Sequence, residues 1–370
     1  MSRFSRFVVL LSVLLPLTAA GTEVRKGDAQ KKAQPEAAQD RQKATAGATA
    51  TFAVTKRLPV GAEGGWDYLV VEAGGKRLFV SRGSHVLAVD TDSGKVVGDI
   101  QGTDGVHGIA LAPELGRGFT SNGRSSTVSV FDLSTLAVTS TVKTTGENPD
   151  AILYDASSKR VFVFNGRGQN ATVLDAASLA VVGTIPLGGK PEFAQADGQG
   201  RVFVNVEDKN EIAVLDALKL TVAARWPLSP CDEPAGLAID RKSQRLFAGC
   251  HNNLLVALSS VDGKIVSKVP IGEGNDAVGF DEERGLVFAS NGDGTLAVVR
   301  ETTPGSYAVV QTVETQKGAR THAVDQKGHR IFLPAARYGP PPSPTAERPN
   351  PRPPMLPGTF EILVVEAGSK

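Results

Sequence analysis

The sequence predicts an all-β fold: a seven-bladed β-propeller of four-stranded antiparallel blades, closed by an N-terminal strand that completes the last blade. Three observations carry this. One phrase, usually Arg, then a small or aliphatic residue, then Phe, recurs at Phe79, Phe119, Phe162, Phe203, Phe247, Phe288 and Phe332. The steps between them are 40, 43, 41, 44, 41 and 44 residues, the period of a propeller blade. Each unit is full of Val, Thr, Phe and Gly, which suit strands and turns and disfavour helical repeats.

Two segments precede the repeats. Residues 1–20 read as a secretory signal peptide: Arg3 and Arg6 lead an apolar run from Phe7 to Leu17, followed by the small residues Thr18, Ala19 and Ala20. The apolar run is too short for a membrane span, so no transmembrane segment is expected once the signal is removed. Residues 21–50 are rich in Ala, Gln, Lys, Glu and Asp, with too little apolar surface to offset ordering, and are expected to be a disordered tether. The whole chain of 370 residues has a formal charge of +1, which argues against a general nucleic-acid partner. Its hydrophobic fraction of 41% is enough to bury a core.

Residues 51–366 form the propeller in this reading. The third unit shows the pattern. Asp150–Tyr154 is the inner strand a, Arg160–Asn165 strand b, Ala171–Asp175 strand c and Leu179–Leu187 the outer strand d. Polar turns rich in Ser, Gly and Asn separate them. An Asp ends strand c in four units, at Asp90, Asp132, Asp175 and Asp216, where it can accept N–H bonds from the c–d turn. The last unit runs from Arg330 to Val365 without a strand d, and Phe52–Gly61 copies the missing pattern. Pairing the two ends removes the exposed edges of an open array.

The ends of strand b carry a resemblance. Phe119-Thr120-Ser121-Asn122, Phe162-Val163-Phe164-Asn165 and Phe288-Ala289-Ser290-Asn291 are similar to the Tyr-Val-Thr-Asn signature of YVTN-repeat β-propellers. The layout resembles that of YncE-like exported bacterial proteins, and Val206, Cys250 and Ala335 depart from the signature. The resemblance implies the fold and a periplasmic or secreted location. For activity it implies a binding scaffold, with lactonases and lyases among related rings.

Aligning the starts of strand a gives one position per blade: Asp67, His107, Asp150, Glu192, Ala235, Asp276 and His322. These should converge on the mouth of the central channel, on the face that also carries the b–c turns. Two readings follow: a solvated polar ring, or a ligand site. His107 and His322, with the ring carboxylates, have the chemistry for a divalent metal or for proton transfer. On the same face Trp66 either stacks on a ligand or plugs a blade interface, and Arg82, Arg124 and Arg167 project from adjacent turns. Residues 338–358 are a Pro-rich insertion between strands b and c of blade seven, either a strap across neighbouring blades or a lid or docking arm with Arg337, Tyr338, Arg348 and Arg352 as contacts. Cys231 and Cys250 lie at one end of blade five, as a disulfide or, reduced, as part of a metal site with His251 and Asp232.

The functional expectation is a monomeric exported module holding a small ligand or an envelope protein partner on this face. The alternative is a metal-assisted lactonase or lyase at the channel mouth. No cofactor other than a divalent metal is expected.

Overall fold

A computed structural model describes residues 51–61, 63–345 and 349–368. The expected signal over 1–20, the tether over 21–50 and Arg348 lie outside the described residues. Seven four-stranded antiparallel sheets form the propeller. Blade 1 comprises Leu69–Val71, Arg77–Ser81, Val86–Asp90 and Val96–Ile100, from the channel outwards. Blades 2 to 6 begin at the inner strands Val106–Ala112, Pro149–Asp155, Pro191–Ala196, Pro234–Asp240 and Asn275–Asp281. Blade 7 takes Ala323–Asp325, Arg330–Ala335 and Glu361–Ala367, and its outer strand is Phe52–Pro59, paired antiparallel with Glu361–Ala367. The ring is therefore closed by the two ends of the described chain, as the copied strand pattern predicts. Among the described residues no helix is long and apolar enough to cross a membrane.

The burial pattern follows from sheets stacked on both faces. Strands b and c are buried almost without interruption, as in Arg160–Asn165 and Asn170–Asp175, because each face meets a neighbouring blade. Outer strands such as Val138–Lys143 alternate between exposed and half-buried positions. The core is divided into seven clusters, one at each interface between adjacent blades. All seven repeat phenylalanines are completely buried in them.

The Arg of the repeat phrase also has a packing role. Arg117 donates to the Ala176 and Ala177 carbonyls in the c–d turn of blade 3, and Arg160 reaches Ala217 and Leu218 of blade 4 in the same way. Arg77 bonds Leu133 O of blade 2 at 2.7 Å, and Arg201 bonds Ser260 O of blade 5 at 2.8 Å. Arg330 closes the ring against Gly75 O, Thr91 Oγ1 and Asp92 of blade 1. The guanidinium satisfies turn carbonyls that the blade's own ladder leaves open. The turns are held locally by the terminal Asp of strand c. Asp175 accepts from the Ala177 and Ser178 amides, and Asp216 from those of Leu218 and Lys219. These bonds hold both carboxylates below their ordinary range.

Candidate functional site

The polar ring is a product of local backbone irregularity. His107, Asp150, Glu192, Ala235 and Asp276 are each the second residue of an inner strand. In each of these strands the first residue pairs with the end of strand b and the register then shifts, as between Pro149 and Ile152 or Pro191 and Ala194. A bulge of this kind re-aims the unpaired side chain, and here it turns that position towards the channel. Asp67 and His322 occupy the same place just ahead of the three-residue strands Leu69–Val71 and Ala323–Asp325.

Five of the six polar positions line one cavity of about 300 Å³ at the channel mouth: Asp67, Asp150, Glu192, Asp276 and His322. Tyr68 and Phe193 line it too, and their rings meet across the channel at 5.3 Å between centroids. Lys190, Glu207, Arg320 and His251 complete the wall, and Arg352 of the Pro-rich insertion also lines it.

The charges are only partly matched. Lys190 bridges Glu192, at 2.7 Å, and Glu207. Arg320 holds Asp276 at 2.8 Å. Asp150 has the weakest compensation. Its nearest cationic group is His107 Nδ1 at 3.8 Å, and that nitrogen is hydrogen-bonded to Asp67 at 2.6 Å. Burial, and then repulsion from Asp67, push the Asp150 carboxyl up to about 7. Burial and the Asp150 charge push Glu192 upwards as well, despite its lysine. The hydrogen bond to Asp67 raises His107 above the usual imidazole range. Burial and then Asp150 hold the Tyr68 phenol well above its ordinary range, so it stays a neutral donor facing the carboxylates.

The ring is not one cluster. Asp67, His107 and Asp150 offer ligand atoms within 4.8 Å of one another. His322, expected to pair with His107 around a metal, is not part of that group. It lies beside Ser290, whose hydroxyl donates to Arg320 O, so His322 Nδ1 donates to Ser290 Oγ at 2.7 Å. Its Nε2 is buried without a hydrogen-bond partner. Burial lowers its pKa to about 4, so the ring is neutral over the physiological range. Strand placement alone put both histidines at the mouth, but the inward turn against blade 6 separates their roles.

Arg82 is also corrected, and Trp66 takes the second of its two expected roles. Arg82 is fully buried, its guanidinium 3.6 Å from the centroid of the Phe360 ring, and burial lowers its pKa to about 10. The turn folds inward because Arg82 N donates to His85 O at 2.8 Å and Ser84 N donates to Arg82 O at 2.8 Å. Trp66 packs on Phe360, at 5.2 Å between centroids, and on Tyr338, at 6.3 Å. It plugs the interface between blades 7 and 1 rather than offering a stacking platform. Arg337 and Tyr338 stand at the base of the insertion, which is zipped by Leu356 N to Arg337 O at 2.8 Å and Gly339 N to Pro354 O at 2.9 Å. Arg124 and Arg167 remain exposed on the face, and they line a separate cleft with His107. Cys231 and Cys250 form a disulfide with an S–S distance of 2.07 Å, which leaves no thiol for a metal site. His251 pairs instead with Glu233 at 2.9 Å.

Sequence reasoning missed Tyr68 and Phe193, although each directly follows a ring carboxylate, Asp67 and Glu192. It also missed Lys190, Glu207 and Arg320, which carry no repeat signal.

No protein-family model matches the chain, and no curated protein is similar to it. Solved structures are similar in fold. The hydrazine synthase of Kuenenia stuttgartiensis superposes with a TM-score of 0.64 at 15% identity, covering 78% of this chain and 95% of that one. The WD40 repeats of RRP9 superpose with a TM-score of 0.71 at 9% identity, covering 86% and 100%. A chain of the mitotic checkpoint complex gives 0.67 at 11%, covering 85% and 95%. At these identities the likeness supports the seven-bladed propeller and nothing finer.

Proposed function

We propose that this chain is an exported propeller module that binds a small ligand with a cationic group at the channel mouth. The observation that carries the reading is Asp150: a buried carboxyl beside a second carboxylate, with no cation of its own nearer than a shared imidazole. A positive group entering the cavity would restore its charge and neutralise Asp67. Tyr68 and Phe193 supply an aromatic floor on which an organic cation gains further attraction. Arg352 places the Pro-rich insertion at the rim, where a ligand enters. Export rests on the signal-like residues 1–20, and the YncE-like layout belongs to the same reading. The likeness to a chain of the mitotic checkpoint complex supports the ring face as a platform for a protein partner as well.

The test is thermal stabilisation of dialysed protein by spermidine, Ca2+, Mn2+ or Zn2+. At least one cation should raise Tm in a saturable manner, and Asp150→Asn should abolish the rise. Indifference to all four removes the reading. Cleavage near residue 20 in periplasmic material tests the export.

A metal-assisted lactonase or lyase is the second reading. It is favoured by the Asp67–His107–Asp150 group, whose ligand atoms suit one divalent ion. It requires that protein loaded with Zn2+ or Mn2+ opens a simple γ-lactone faster than the His107→Ala protein does.

A further inference from the structure

His107 stands between two compartments. Its Nδ1 is tied to Asp67 on the mouth side. Its opposite edge faces Gly123, where a Cβ would lie 2.8 Å from both Cδ2 and Nε2, so a residue without a side chain is needed there. Beyond that edge lies a cleft of about 500 Å³ on the same face, between blades 2 and 3, lined by His107, Gly123, Arg124, Ser126, Asn148 and Arg167 among others. Among the described residues Nε2 has no hydrogen-bond partner, and Arg167 has no ion-pair partner. Arg124 meets Asp104 at 3.0 Å, with its side chain 75% exposed, so the guanidinium keeps donors to spare. Glu147 is the carboxylate that lines the cleft itself.

We propose that this cleft is an anion site, in which Arg124 and Arg167, beside the Nε2 edge of His107, hold a carboxylate or a tetrahedral oxyanion of a small ligand. Two guanidinium groups supply paired N–H donors to such an anion. Asp67, held against Nδ1, orients the imidazole and keeps Nε2 pointing at the cleft. This site is distinct from the cation site at the mouth and stands without it. His107 faces Asp67 from blade 1, Asp150 and Glu147 from blade 3, Arg167 from blade 3 and Arg124 from its own blade.

Binding of sulfate and of acetate to the whole protein at about pH 7.5 tests this, because both probes are fully anionic there. Imidazole NMR signals and calorimetry read it. At least one probe should bind saturably and shift the His107 signals. Preference for sulfate marks a phosphate-like ligand, and preference for acetate a carboxylate. Arg124→Gln and Arg167→Gln should each weaken binding roughly tenfold while Tm stays unchanged, since both side chains are exposed. Absence of saturable binding by either probe overturns the proposal, and so does binding that is indifferent to both arginine variants.

Discussion

Asp150 and His322 are both buried at the ring, and burial moves them in opposite directions. The Asp150 carboxyl is pushed up to about 7 by burial and by Asp67. Its folded pKa is above the unfolded value, so its contribution is full at low pH and is lost as pH rises through about 7. Asp150→Asn should therefore stabilise the protein at pH 8, on the order of 2 kcal/mol, with the gain vanishing near pH 4. Urea unfolding at the two pH values checks it. His322 is lowered to about 4, again by burial. The unfolded imidazole binds a proton that the folded one refuses, so stability is present above about pH 6.5 and lost as pH falls through about 4. His322→Gln should flatten that acid limb in the same unfolding series. The ring positions themselves were legible, because a polar residue stands at the strand start in six of the seven blades. Their partners were not. His107 sits at a bulge in its inner strand, while Asp67 and His322 precede strands that pair without one, and neighbouring sequence does not encode that difference. Arg82 was misread for a related reason: the Phe360 ring it stacks on comes from the far end of the chain.

At the scale of elements, the blades were readable because each one repeats a buried Phe, and five of the seven add an Arg that clamps the turn of the next blade. The predicted third-blade strands differ from the observed ones only at their ends, where Val181–Pro186 is shorter than expected and Pro149–Asp155 longer. The irregular elements carry the function-related questions. The disulfide joins residues 19 apart in sequence and pins the loop bearing Glu233 beside His251. Replacing both cysteines by Ala should cost about 3 kcal/mol by the loop-closure argument, and reductant should lower the Tm of the natural protein but not of the variant. The Pro-rich insertion behaves differently. Its base is hydrogen-bonded from Arg337 to Leu356, while most residues beyond it are exposed. Replacing residues 341–352 by a short Gly–Ser turn should leave Tm within a few degrees of the parent. The same variant removes Arg352 from the channel mouth, so its cation affinity should change while the anion cleft at Arg167 is untouched.

Over the whole molecule, stability is distributed as seven interface clusters, and each blade contributes to two of them. No blade can be lost without exposing an apolar face on each neighbour. The seventh blade is the one assembled from both ends of the described chain. Phe52 belongs to the cluster between blades 6 and 7, and Leu58 to the cluster between blades 7 and 1, so one strand fastens both interfaces. Gln311 of blade 6 adds two side-chain bonds to the Phe52 backbone, at 2.8 and 2.6 Å. Removing residues 51–60 would uncover the edge of Glu361–Ala367, whose unpaired amides and carbonyls would then invite pairing between molecules. The expected outcome is a lower unfolding midpoint together with concentration-dependent association by size-exclusion chromatography. Leu58→Ala separates the two effects. It keeps the backbone pairing and removes only buried side-chain volume, so it should cost about 2–4 kcal/mol without association. A truncated protein that stays monomeric and as stable as the parent would show that six complete blades hold the ring without its closing strand.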